Sequence, residues 1–149
     1  MIIPNMVAAR TLCEISGWSL SNLRLQKILY FTHRCFLGED KGPLVKGPFM
    51  RYPYGPVIEE VHRHVREYGK RAIPEEAFGA FKSLDIESDE YKAMEREFGK
   101  RKNHTASRLV DDSHELGGAW DRCFEENKRE IPTDYIKDEY DYVEKRRFR

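Results

Sequence analysis

Four groups able to hold a metal, Asp111, Asp112, His114 and Glu115, fall within five residues. On a helix Asp111 would share a face with His114 or with Glu115. A hydrolytic centre needs three converging protein ligands and an open position, and the chain offers no second cluster. The segment therefore reads as a solvated acidic helix end whose histidine packs inward. His62 and His64 are two residues apart and point to different faces of a helix, and neither belongs to an HExxH pair. His33 and Cys35 have the same unsuitable spacing, and no GxSxG elbow exists. In GPLVKGPFMRYPYGP the glycines alternate with prolines and do not build the GKS or GKT end of a phosphate loop. These patterns give no positive reason to expect catalysis, a metal or a cofactor, and a metal-dependent enzyme is the weakest reading of the chain.

Binding chemistry has more to work with. Phe49, Tyr52 and Tyr54, with Arg51 among them, are residue types enriched at protein-binding hot spots. Aromatic residues in a Pro/Gly-rich loop also often just cap a core, and sequence does not separate the two. Arg24, Lys27 and Arg34 fall within one narrow arc at 3.6-residue spacing and make a second, weaker contact candidate. Lys100, Arg101 and Lys102 form a short basic run, and Lys145, Arg146, Arg147 and Arg149 a basic tail. Phosphate contact needs such groups on one continuous surface. Lys plus Arg and Asp plus Glu both total 26, so the net charge is zero and the basic footprint of a duplex binder is missing. Nucleic acid is accordingly a secondary expectation. Residues 1–73 carry 11 basic and 6 acidic side chains (+5) and residues 74–149 carry 15 and 20 (−5), an asymmetry that the two parts can neutralise on folding.

The elements that would position these groups are mostly helices. A first helix is expected from about Asn5, as a cap, to just before Gly17. Ser21 then caps NLRLQKILYFTHRCFL, apolar almost all round and therefore central. The breakers between Glu39 and Pro56 predict a loop with a short extended pair, PLVKG and PFMRY. Pro56 would open the next helix, with Val57, Ile58, Val61, Val65 and Tyr68 inward and Gly69 at its end. Pro74 opens another candidate helix carrying Phe78, Phe81 and Leu84. Ser88 or Asp89 starts one that Gly99 and the basic run would break. Two short helices follow, one with Leu109 and Val110, the other with Trp120 and Phe124, and Thr133 caps a last one with Ile136, Tyr140 and Val143. The expectation is mainly α: one single-domain bundle of about six to eight helices, with at most a small β-hairpin, spanning residues 1–149 and frayed at 145–149. Cys13, Cys35 and Cys123 form no CxxC pair and are expected to be reduced and buried. No apolar run approaches a membrane span, and MIIPNMVAAR lacks a signal peptide's basic start and cleavage site, so a cytoplasmic protein is expected.

Four segments in register carry a resemblance: LSNLRLQKILYF (20–31), YPYGPVIEEVHRHVREYG (52–69), FGKRKNHTASRLVDDSHELGGAW (98–120) and IPTDYIKDEY (131–140). Together they resemble the Panacea domain family, also described as SocA-like or phage-associated proteins. That resemblance implies an antitoxin of a bacterial or phage toxin–antitoxin pair, neutralising a cognate protein toxin by direct binding and without catalysis. It also admits a proteolytic adaptor that delivers the toxin to an ATP-dependent cellular protease. The motif residues Leu25, Gln26, Lys27, Leu29, Tyr30, Gly55, Pro56, Val57, His114 and Trp120 are expected to be mostly structural. Leu25, Leu29 and Tyr30 would anchor the central helix, Gln26 and Lys27 would tie its polar side to the loop, and His114 and Trp120 would lock a helix junction. The departure from the family pattern at Met50, Arg51, Tyr52 and Pro53 falls on the loop expected to meet the partner.

Overall fold

The Ser21 hydroxyl accepts the Arg24 amide and so closes the first turn of α2 (Asn22–Gly38), the longest helix among the described residues. Leu25, Ile28, Leu29, Tyr30, Phe31, Phe36 and Leu37 are all buried, so α2 is covered over most of its surface. The other elements pack around it. The computed structural model describes residues 1–147, with side chains through residue 144; the expected fraying of 145–149 and the basic tail lie outside the described residues. Around α2 stand α1 (Asn5–Ile15), α4 (Asp89–Arg101), α5 (Ala106–Ser113), α7 (Thr133–Arg147) and a hairpin of β1 (Phe49–Tyr52) and β2 (Gly55–Ile58). Two short helices, α3 (Glu59–Val65) and α6 (Ala119–Glu126), complete the mainly α fold. One continuous apolar core runs from Ile3 to Ile136. Among the described residues no helix is long and apolar enough to cross a membrane.

Several local expectations are corrected. PLVKG does not pair with PFMRY; β1 pairs antiparallel with GPVI, Phe49 opposite Ile58 and Tyr52 opposite Gly55, while Val45 bridges to Ile3. Pro56 and Val57 therefore belong to a strand, and the helix begins two residues later at Glu59. Asn5 is not a cap: it is the first residue of α1, and its side chain exchanges hydrogen bonds with Gly47 and donates to Glu60. After Pro74 only a 3₁₀ turn, Glu75–Phe78, forms. Arg10 takes the carbonyls of Phe78 and Phe81 at 2.7 and 2.9 Å, and Thr11 accepts the Leu84 amide, so α1 organises this stretch as a non-helical strap. Gly99 does not break α4, which continues to Arg101. Cys13 and Cys123 are buried but Cys35 is half-exposed, and all three are free.

Buried polar groups fix how the helices dock. Glu139 of α7 is almost wholly buried, and each of its carboxylate oxygens is used. Arg34 Nη1 and the Tyr30 hydroxyl donate to Oε2 at 2.8 and 3.0 Å, and the Ala119 amide at the start of α6 donates to Oε1 at 2.9 Å. A negative charge suits that helix start, where backbone amides lack partners. Burial by itself would lower the Arg34 pKa; the Glu139 carboxylate reverses the direction and holds the guanidinium charged. Beside them Arg101 stacks 3.7 Å from the Phe31 ring centre and donates to Glu97 at 2.7 Å.

Where α2 ends, α7 crosses it closely. A Cβ on Gly38 would fall inside the Tyr140 ring. Gly38→Ala should therefore push the two helices apart and lower stability by about 1–3 kcal/mol, read from a urea midpoint. A midpoint equal to wild type would mean that Tyr140 does not rest on α2.

Candidate partner-binding surface

The hairpin stands on α2 through side chains that emulate a neighbouring strand. Gln26 accepts the Ile58 amide at 2.9 Å and donates to its carbonyl at 3.2 Å, and the Lys27 ammonium donates to the Pro56 carbonyl at 2.9 Å. On the other side, the Arg51 amide donates to the Arg129 carbonyl and the Ile131 amide to the Phe49 carbonyl, with Met50 bridging Glu130. Gly55 turns the chain at φ +110°, where its missing side chain leaves room for Ser113 and for Lys27, whose Cε lies 2.7 Å from where a Cβ would sit.

So anchored, the turn presents its aromatic residues. Tyr54 is 68% exposed, and Pro53 is exposed beside it. Tyr52 and Arg51 are half-buried and held. The Tyr52 hydroxyl donates to Glu59 at 2.7 Å, a bond that raises the tyrosine pKa and lowers that of Glu59; Arg129 donates to the same carboxylate oxygen. Arg51 Nε donates to the Lys128 carbonyl at 2.9 Å. Trp120 Nε1 donates to the Tyr52 carbonyl at 2.8 Å. His114 stacks on Trp120 with ring centres 3.8 Å apart, Phe124 stacks at 5.5 Å, and the Arg51 guanidinium lies 5.7 Å from the Phe124 centre. The outcome is a column of His114, Trp120, Phe124 and Arg51 drawn from three segments, in which Phe124 is 56% exposed.

Arg51, Tyr52 and Tyr54 thus come together on one rigid turn, joined by His114 and Trp120. Phe124 completes the surface and was not singled out from sequence as a contact residue; its i, i+4 spacing from Trp120 was the available signal. Phe49 instead lies in the core, edge-on to Tyr30. The second candidate, the basic arc, is corrected. Lys27 is 1% and Arg34 6% exposed, so these two face inward, while half-buried Arg24 uses Nη2 to donate to the Lys102 carbonyl; the three do not form one open stripe. In the run Lys100–Lys102, Arg101 is buried against Glu97 and Asp112, and Lys100 lies 4.0 Å from Glu97.

Among the described residues no three His, Cys, Asp or Glu side chains are grouped to hold a metal. Asp112 pairs with Arg101 and Arg108, and His114 is committed to its stack with Trp120. His33 Nδ1 accepts from the Leu44 and Val45 amides, and burial holds its pKa down at about 4.

The chain is thus a mainly helical domain that carries an exposed aromatic turn. Residues 25–131 match the family described as "Antitoxin SocA-like, Panacea domain", and the chain belongs to that family. It is 36% identical over 110 residues to Antitoxin SocA of Caulobacter vibrioides (strain NA1000 / CB15N), a match covering 68% of this chain and 58% of that protein. No solved structure matches the chain.

Proposed function

We propose that the protein is an antitoxin that neutralises a cognate protein toxin by direct binding, with the hairpin turn and its aromatic column as the contact. The observation that carries the reading is the assembly of Tyr54, Phe124 and Arg51, hot-spot residue types, on a scaffold already locked by backbone and side-chain hydrogen bonds. The backbone beneath them is already fixed, so binding does not have to order the turn. Kinship with Antitoxin SocA supports the class of function.

Co-expression with the product of the adjacent gene tests this reading. Growth inhibition by the neighbour alone, rescue by the pair and co-purification at a fixed ratio support direct neutralisation. Rescue in which the neighbour vanishes from the cell, and returns when proteases are removed, would replace it with delivery to a protease. No toxicity and no complex would overturn both.

Tyr54 bears no structural load, so Tyr54→Ala should fold as wild type while weakening the complex by about tenfold or more in a binding titration. Arg51→Glu reverses the charge beside Phe124 and should abolish rescue. A folded Arg51→Glu protein that neutralises normally would remove the turn from the interface.

A further inference from the structure

Where the end of α4 meets α5 and α7 lies an open cleft of about 370 Å³, within the ~300–1,000 Å³ of small-molecule sites. Lys100 and Arg108 line it with side chains 51% and 62% exposed, so their charges are open to solvent. Arg101 and Arg34 line it from deeper in the fold, at 10% and 7%. Against these four permanent cations the described lining holds two carboxylates, Asp112 and Glu115. His104 completes the polar wall, and Val143 is the one apolar residue among the described residues that line it.

The exposed cations are only loosely neutralised. Arg101 Nη1 and Arg108 Nε share a single Asp112 oxygen at 3.4 and 3.7 Å, longer than a good charge-assisted hydrogen bond. Lys100 stands 4.0 Å from Glu97, whose other oxygen already accepts from Arg101 Nε at 2.7 Å. Two carboxylates outside the lining, Glu97 and Glu139, hold Arg101 and Arg34 in place. Arg34 Nε and His104 Nδ1 have no hydrogen-bond partner. Desolvation of its ring, and after it the charges of Arg108 and Arg101, lower the His104 pKa, as a local excess of positive charge requires. α5 starts between His104 and Arg108 and carries no acid in its first turn, so the partial positive charge of that helix start adds to the excess.

We propose that this cleft binds a small phosphoryl anion, of the pyrophosphate or phosphorylated-metabolite class, with Lys100 and Arg108 as its exposed contacts and Arg101 behind them. Guanidinium forks match phosphoryl oxygens, and a ligand with oxygens on every side suits a polar wall. A nucleobase or an acyl chain would have only Val143 to lie on among the described residues. The proposal does not depend on the antitoxin reading, whose contact residues Arg51, Tyr54 and Phe124 do not line this cleft.

The test uses the whole chain, ¹⁵N-labelled, titrated at constant ionic strength with inorganic pyrophosphate and, for comparison, inorganic phosphate, citrate and a penta-glutamate peptide. Pyrophosphate should shift the Lys100, His104 and Arg108 amides saturably with a Kd of ~0.1–1 mM. Phosphate should bind about tenfold more weakly, having fewer oxygens and less charge to share. Arg108→Ala and Lys100→Ala, both at open positions, should fold as wild type and each weaken pyrophosphate by about five- to tenfold, while Lys46→Ala, an exposed lysine outside the cleft, should leave it unchanged. Shifts that do not saturate, shifts confined to other residues, or an Arg108→Ala protein with wild-type affinity would overturn the proposal. Citrate or the peptide binding as tightly as pyrophosphate would overturn the phosphoryl assignment, the peptide in favour of an acidic segment of a protein partner.

Discussion

Glu139→Ala should lower stability by about 3–5 kcal/mol, enough to unfold much of a domain this size at 37 °C. The mutation strands three donors at once: the Arg34 guanidinium, the Tyr30 hydroxyl and the Ala119 amide. Arg34 is the costly one, because a charge left at 6% exposure has neither water nor counter-ion. Glu139→Gln, which keeps the shape and one acceptor, should cost less. Arg34→Met combined with Glu139→Leu should recover a large part of the loss, since removing both charges also removes the desolvation penalty. Urea unfolding of the four proteins decides it. A double variant no more stable than Glu139→Ala would show that packing, and not the stranded charge, dominates at this junction.

The second large effect is a dependence on pH. Burial lowers the Lys27 pKa from 10.5 to about 7, so between those values the unfolded chain holds a proton that the folded chain has released. Stability must therefore rise with pH across this window, and the penalty for burying the charge is fully present only below about pH 7. The groups around Lys27 are His62 of α3, His114 after α5, and Tyr52 of β1; burial lowers both histidines and so adds a slope of the same sign at lower pH. The buried thiols act oppositely at higher pH, Cys13 being pushed up to about 12. Comparison with Lys27→Met cancels those contributions. Wild type should gain about 1.5 kcal/mol on Lys27→Met between pH 7 and 8.5. Parallel denaturation curves at the two pH values would mean that Lys27 stays charged in the folded protein.

Helix caps and apolar periodicity made the helical frame legible. Ser21 and Ser88 each mark a helix start, and the all-round apolarity of 25–37 implies a central α2. Val57 and Ile58 were misplaced because Pro56 suits a helix start as well as a strand, and the deciding partner, Gln26, lies 32 residues away. The 74–84 stretch failed as a helix because Arg10, from another element, captures its carbonyls. In the site, the turn residues Arg51, Tyr52 and Tyr54 stood out by type alone. Spacing put Arg24, Lys27 and Arg34 on one face but could not say that the face is covered; that depends on Glu139, 105 residues after Arg34. Long-range pairing of this kind leaves no periodic trace in the chain.

The hydrogen bonds around the hairpin have a consequence for recognition. A two-stranded sheet ordinarily offers outward main-chain groups to which another chain can add as an extra strand. Here the outward groups of β2 are taken by Gln26 and Lys27, and the Phe49 carbonyl and Arg51 amide of β1 by residues 129–131. Recruitment by β-augmentation is closed to any partner, and with it the sequence-tolerant grip that backbone pairing provides. A chain that docks at this turn must be chosen by its side chains, so changing partner here requires changing only a few exposed residues while the sheet beneath them stays as it is.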